Sequence, residues 1–281
     1  MFRYFLLFST VFGWVHISSA QSFLVMDLDS GRVLIKKEEH HKRPPACLVK
    51  LATAIVALQS IEKYQMDPHY QITVPVSAAQ IPGGNPLGLK PGDKISMRVA
   101  IISMLVASDH RSAFTVAHYI GGSITPNAKE KDFERHFVKQ MNQLAKSLGM
   151  KRTRFMSSYG LEREGKVSKS TAVDMAILAK EALNHKLIES VVAKKEVILQ
   201  FKQNDRKLKI KIKNTHKLVY NHGYQGLKGG RSRFSKGCLI TRYKDGGVDL
   251  LCVVLGSSYR EDDTQSHINQ AFLNFNRLNK S

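Results

Sequence analysis

Cys47 and Lys50 stand three residues apart in Arg43–Leu58, RPPACLVKLATAIVAL, just after a Pro-Pro break. The run of good helix formers from Ala46 to Ile61 predicts a buried helix, which places both side chains on one helical face. A helix N-terminus and a neighbouring ammonium both favour a thiolate, so the pair is a candidate nucleophile with a basic partner. Many helices carry a Cys and a Lys at this spacing, so the pair needs company to mean chemistry. Metal chemistry finds no such company. His40 and His41 are adjacent rather than four apart, no H-E-x-x-H occurs, and neither a metal nor a cofactor is implied.

The elements around the pair follow from periodicity. Phe23–Leu28 and Arg32–Ile35 flank Asp29-Ser30-Gly31, a strand–turn–strand opening, and Ile72–Val76 is a further short strand. A Gly/Pro-rich loop over Ile81–Asp93 leads to Ser96, an N-cap for a helix running to about Val106. Ser108-Asp109-His110 interrupts it, and a second stretch runs from Ala113 to Ile120, stopping before Gly121-Gly122. Asp132–Leu148 is amphipathic through Phe133, Phe137, Met141 and Leu144, and Ser170–Leu183 is another helix. From about Val191 strands take over. Lys207–Lys213 alternates Lys with aliphatics, a half-buried strand with a solvated lysine face. Gly237–Tyr243 and Val248–Leu255 flank Lys244-Asp245-Gly246-Gly247 as a hairpin, and Ile268, Ala271, Phe272 and Phe275 mark a closing helix. Strands at both ends with helices between them predict one α/β domain closed by its termini.

Two of the three cysteines, Cys238 and Cys252, lie on that hairpin. A three-residue loop would set them opposite one another, whereas a two-residue loop would put them on different faces, so their pairing stays open. Two small buried hydrophobes is the better account.

The 281 residues carry 43 Lys+Arg against 23 Asp+Glu, a formal charge of +20. With 43% apolar residues and 23% charged, disorder, collagen and coiled coil are excluded for the whole. Such charge invites a polyanion, and MFRYFLLFSTVFGWVHISSA decides which kind. Arg3, the apolar Tyr4–Val15 and small residues at Ser18-Ser19-Ala20 predict a cleaved signal peptide over residues 1–20. Export makes nucleic acid an improbable partner and an anionic wall or lipid surface a natural one. No later run is long enough to span a bilayer. Between Lys194 and Lys236 there are 13 Lys/Arg against Glu196 and Asp205, a basic rim expected to edge the functional cleft.

The company that the Cys47–Lys50 pair needs comes as a series of segments. RPPACLVKLATAIVAL resembles the Ser-x-x-Lys nucleophile motif of the penicillin-interacting serine peptidases, with Cys47 in the serine position. FLVMDLDSGRVLIKKEEHHKRPPA, NPLGLKPGDKIS, MLVASDH, SYGLEREGKVSKSTAVDMAILAKEAL and GLKGGRSRFSKGCLITRYKDGGVDLLCVVLG resemble, in order and spacing, segments of the low-molecular-weight D-alanyl-D-alanine carboxypeptidases, peptidase family S11. The resemblance covers nearly all of residues 22–277.

It implies an α/β (α+β) fold of β-lactamase/transpeptidase type, an antiparallel sheet flanked by helices plus a mostly helical lobe, with the site in the cleft between them. It also implies a single catalytic domain over 21–281, ending before the β-rich domain and amphipathic anchor of longer members. The expected product of the leader's removal is a periplasmic or wall-associated protein. Family roles carried over residue by residue give Cys47 as nucleophile, Lys50 as base and Ser108 as proton relay. Lys228 holds the substrate carboxylate, and the backbone N–H groups of Cys47 and Arg231 form the oxyanion hole. Three departures accompany them. Cys47 replaces serine, His110 stands where an amide would meet substrate, and Gly229 with Gly230 follow Lys228 where Thr-Gly is the pattern. Arg231 or Arg233 would bind the carboxylate in place of the Thr hydroxyl, because a guanidinium fork suits that group. The implied ligands are peptidoglycan stem peptides ending in D-Ala-D-Ala, and β-lactams. The first reading is a carboxypeptidase-like hydrolase working through an acyl-enzyme on Cys47. The alternative is a non-catalytic peptidoglycan-binding homologue.

Overall fold

The computed structural model describes residues 18–161, 165, 167–203 and 206–278. Residues 1–17 of the expected signal peptide lie outside the described residues. In chain order the elements are β1 (Ser22–Asp27), β2 (Val33–Lys37), α1 (Lys50–Lys63), β3 (Gln71–Thr73), β4 (Lys94–Ser96), α2 (Met97–Val106), α3 (His110–Ile124) and α4 (Phe133–Ser147). Then follow α5 (Ala172–Asn184), α6 (Lys186–Val192), β5 (Glu196–Gln203), β6 (Arg206–Lys213), β7 (Tyr224–Ser232), β8 (Lys236–Asp245), β9 (Val248–Ser257) and α7 (Arg260–Leu278).

The expected closure by the termini is present. A five-stranded antiparallel sheet has the order β2-β1-β9-β8-β7, so the first strand pairs with the last. Both faces are covered, which explains why β9 is buried along its whole length. Phe23, Val25, Leu250, Cys252 and Val254 pack on Ile268 and Ala271 of α7, while Leu24, Met26, Leu251 and Val253 join the main core with the other helices. Inside that core α1 is buried on nearly every side, as its apolar sequence requires.

The hairpin settles the cysteine question. Asp245 pairs with Val248, leaving Gly246 and Gly247, both at positive φ, as a two-residue loop. Cys238 therefore belongs to the main core and Cys252 to the α7 side, and both thiols are free.

Two expectations are corrected. The helix expected to stop before Gly121-Gly122 continues to Ile124. The glycines are a contact rather than a stop. A Cβ on Gly121 would lie 1.9 Å from the Phe133 carbonyl oxygen, so their lack of side chains is what lets α3 and α4 approach. The alternating-lysine strand is also placed differently. It forms, as β6, the edge of a second, four-stranded sheet of order β3-β4-β5-β6 and is not a neighbour of the Lys228 strand β7. Register puts Lys94, Lys202, Lys207, Lys209, Lys211 and Lys213 on one exposed face, with Leu199, Phe201 and Ile212 buried beneath. Among the described residues no helix is long and apolar enough to cross a membrane.

Candidate active site

Ala46–Val49 forms one 3₁₀ turn leading into α1, so Cys47 and Lys50 fall a single turn of three apart and eclipse each other. Entry into that turn requires Ala46 at φ +49, and the loop after α4 packs directly on it. Gly160, at φ +87, would bring a Cβ to 2.4 Å from the Ala46 carbonyl oxygen, so only glycine allows this closeness. The same loop clasps α1. Lys50 Nζ donates to the Tyr159 carbonyl at 2.5 Å, and Thr53 Oγ1 donates to the Ser158 carbonyl at 2.6 Å.

The turn between α2 and α3 delivers the second group. Asp109, fully buried, caps α3 by accepting from Ser112 N–H at 3.0 Å, and its other oxygen accepts from the Ser103 and Ser112 hydroxyls. Ser108 is held half-buried at φ +58 immediately before the cap. His110 opens the helix with Nε2 3.5 Å from Cys47 Sγ, while Nδ1 lies 2.9 Å from the Pro82 carbonyl oxygen.

Strand β7 delivers the third. Lys228 is buried with its Nζ donating to the Gly229 carbonyl at 2.9 Å. Gly230 faces the Ala46–Cys47 turn, and Gly229 faces Arg260. The Arg231 guanidinium donates to the Ser258 carbonyl at 3.0 Å, so beside Cys47 this strand offers the Lys228 charge and its backbone at Gly230. Lys50, His110, Lys228 and Gly230 are thus brought to Cys47 from three elements distant in the chain, while the Arg231 side chain is turned to Ser258.

Charge in this closed space decides the thiol's state. Burial alone would raise the Cys47 pKa, yet Lys50, the hydrogen bond from His110 and the charge of Lys228 together hold it well below the usual thiol range. Burial lowers Lys50, against the pull of Cys47 and Asp109. Burial also brings Lys228 down to about 7, helped by Lys50 and Arg260 and opposed by Cys47. The other two thiols are pushed the opposite way by burial, Cys238 to about 11 and Cys252 higher still.

Sequence reasoning missed two residues. Arg260, from the start of α7, donates to the Gly230 carbonyl at 2.6 Å and adds positive potential beside Lys228. His216 is fully buried, with Nε2 3.1 Å from the Ile240 carbonyl oxygen and 2.8 Å from Thr241 Oγ1. Burial, then Lys228 and Arg260, hold its pKa down to about 4, with the Ile240 contact opposing. Neither belongs to any of the motifs, so nothing in the sequence marked them. No group of three His, Cys, Asp or Glu that could hold a metal occurs among the described residues.

An antiparallel sheet covered by a closing helix, with a helical lobe that carries the Cys47 turn against an edge strand, is the DD-transpeptidase fold. A DD-transpeptidase variant from Streptomyces K15 matches at a TM-score of 0.83, with 22% identity, over 92% of this chain and 99% of that one. Penicillin-binding protein D2 of Listeria monocytogenes, in its ampicillin-bound form, matches at 0.73 with 24% identity, over 92% and 98%. Residues 15–259 match the model of the D-alanyl-D-alanine carboxypeptidases, peptidase S11, and the chain belongs to that family. D-alanyl-D-alanine carboxypeptidase DacF of Bacillus subtilis is 31% identical over 240 residues, 85% of this chain and 58% of the relative. DacC of Escherichia coli is 29% identical over 245 residues, 85% and 56%. The chain therefore spans somewhat more than half the length of these relatives.

Proposed function

We propose that the protein is an exported D-alanyl-D-alanine carboxypeptidase-like hydrolase that acts on peptidoglycan stem peptides through an acyl-enzyme on Cys47. Residues 1–20 serve as its leader. The observation that carries this reading is a buried thiol set 3.5 Å from the His110 ring, with the Lys50 and Lys228 charges acting on it. A thiolate is a stronger nucleophile than the serine hydroxyl it replaces, and it forms more readily. In this reading Cys47 attacks the penultimate D-Ala carbonyl, Lys50 keeps the sulfur charged, and Ser108 relays a proton toward the leaving amine. Lys228, with Gly229, Gly230 and the Arg231 backbone along β7, receives the terminal D-Ala carboxylate. The N–H groups of Cys47 and Arg231 face the developing oxyanion. The lysine face of the second sheet meets the carboxylate-bearing polymer outside the cleft.

A second reading has its own observation. Cys47 is 5% exposed and His110 7%, and the loop at Pro82–Gly84 packs on the His110 ring. A relative that grips stem peptides without cleaving them fits that closure.

A labelled penicillin, followed by intact-mass analysis and peptide mapping, separates the two. The expected result is a single adduct on Cys47, absent from Cys47→Ala, together with D-Ala released from a stem pentapeptide. No adduct and no D-Ala at stoichiometric enzyme would sink the hydrolase. Activity gained by Cys47→Ser would show that the surrounding site is intact.

A further inference from the structure

Which group handles the thiol's proton is legible in how His110 is held. Its Nδ1 lies 2.9 Å from the Pro82 carbonyl oxygen, and a carbonyl only accepts, so Nδ1 carries a proton and donates it there. Nε2 is therefore the nitrogen that gains and loses a proton, and it faces Cys47 Sγ at 3.5 Å. The ring has no freedom to turn away. The His110 N–H donates to the Gly84 carbonyl at 3.0 Å, and Asp109 caps the same turn. Gly83, at φ +93, makes room for the ring, since a Cβ there would lie 2.4 Å from Nδ1 and 2.6 Å from Cε1. Lys50, fully buried, donates to the Tyr159 carbonyl as well as reaching Cys47, so its protons are already engaged.

A nucleophile, an imidazole and a third group that fixes the tautomer form the arrangement by which Cys–His hydrolases activate a thiol. We propose that His110 is the catalytic acid and base for Cys47, so that a cysteine–histidine pair operates on a scaffold built around serine and lysine. This rests on the reading of Cys47 as the acyl-carrying nucleophile. Nε2 takes the S–H proton, giving thiolate and imidazolium. The thiolate attacks the carbonyl carbon, the C–S bond forms, and the C=O electron pair moves to oxygen. As that pair returns, the C–N bond breaks and the Nε2 proton passes, by way of the Ser108 relay, to the departing D-Ala amine. Water then loses a proton to the neutral Nε2 and attacks the thioester. The C–S bond breaks, leaving thiolate and imidazolium again. Lys50 keeps its proton throughout as a fixed positive charge.

The test uses iodoacetamide, which needs no substrate. Mass mapping of Cys47 alkylation against pH should show the rate sustained below pH 6 in the full chain. In His110→Asn, which restores the family's amide, and in His110→Gln the inflection should rise by a pH unit or more, and Cys47 acylation by penicillin at pH 7 should slow about 100-fold or more. If the profile moves but neither penicillin nor stem peptide reacts with the unsubstituted protein, the pair stands and the substrate reading falls. If His110→Asn leaves the profile unchanged, the pair is overturned whatever happens to acylation, and Lys50 alone ionises the thiol. Should neither variant fold, ¹⁵N NMR of the His110 ring decides. An imidazolium signature at pH 7 that is lost in Cys47→Ala supports the pair, and identical spectra overturn it.

Discussion

Gly230 lies directly against the backbone of Cys47, where a Cβ would come within 2.6 Å of the Cys47 nitrogen and 3.1 Å of its Cβ. The edge strand and the Cys47 turn are thus in backbone contact, and the N–H proposed for the oxyanion hole is one of the atoms at that contact. Gly230→Ala must push β7 away from the turn. Displacement of reacting groups by about 1 Å costs on the order of 100-fold in rate. We expect penicillin acylation of Cys47 to fall by about that factor, with stability lowered by about 1–3 kcal/mol from overpacking. Unchanged acylation in a folded variant would show that the contact has no part in positioning.

Asp109 holds the α2–α3 turn from inside. Removing its carboxylate with Asp109→Ala takes away the α3 cap, worth about 1 kcal/mol, and leaves the buried Ser103 and Ser112 hydroxyls without this acceptor. Urea unfolding should show a loss of about 2–4 kcal/mol. A smaller loss in Asp109→Asn, whose amide oxygen still caps, would assign part of the effect to the cap.

His216 makes stability fall in acid. Its pKa is about 4 in the folded chain against about 6.5 when exposed, so between those values the unfolded state binds the extra proton. Stability contributed by the neutral ring is complete above pH 6.5 and lost progressively as pH falls toward 4, by on the order of 3 kcal/mol. The physical reason is the second ring nitrogen. Among the described residues Nδ1 finds no side-chain partner, so a proton there would be a buried charge near Lys228 and Arg260. His216→Gln should flatten the pH dependence of the urea midpoint over this interval. Parallel curves for the two proteins would assign the acid sensitivity to other groups.

The second sheet carries a like-charged pair where stability alone would not put one. Lys202 and Lys207 are direct cross-strand partners, with Lys94 opposite Lys202 on the other side. Replacing Lys202, Lys207 and Lys209 with Gln should leave the fold equally or more stable. It should also weaken retention on isolated peptidoglycan sacculi and make that retention less sensitive to salt. Salt-insensitive retention of the unsubstituted protein would leave the lysines as a merely solvated face.

Local physics wrote much of this molecule into its sequence. Ser96 accepts from Val99 N–H as the cap expected of it, the Lys207–Lys213 alternation has its aliphatics turned inward, and the apolar run after Pro44-Pro45 is a buried helix. Segment order carried the family. The hairpin shows where local reading stops. Alternation offered two parities for Cys238 and Cys252, and only the strand register selected the two-residue loop that parts them. Tertiary structure likewise decided that Gly121 and Gly122 are a helix–helix contact, and that the lysine strand joins a second sheet. It also decided the condition of the Cys47–Lys50 pair that began as a spacing of three. Sulfur, imidazole and two ammonium groups come from residues as far apart as 47 and 228, under a loop whose Gly83 looked like ordinary turn chemistry. Spacing places neighbours within a few turns of chain. Ionisation depends on every charge within several ångströms and on the exclusion of water, and both are properties of the packed fold.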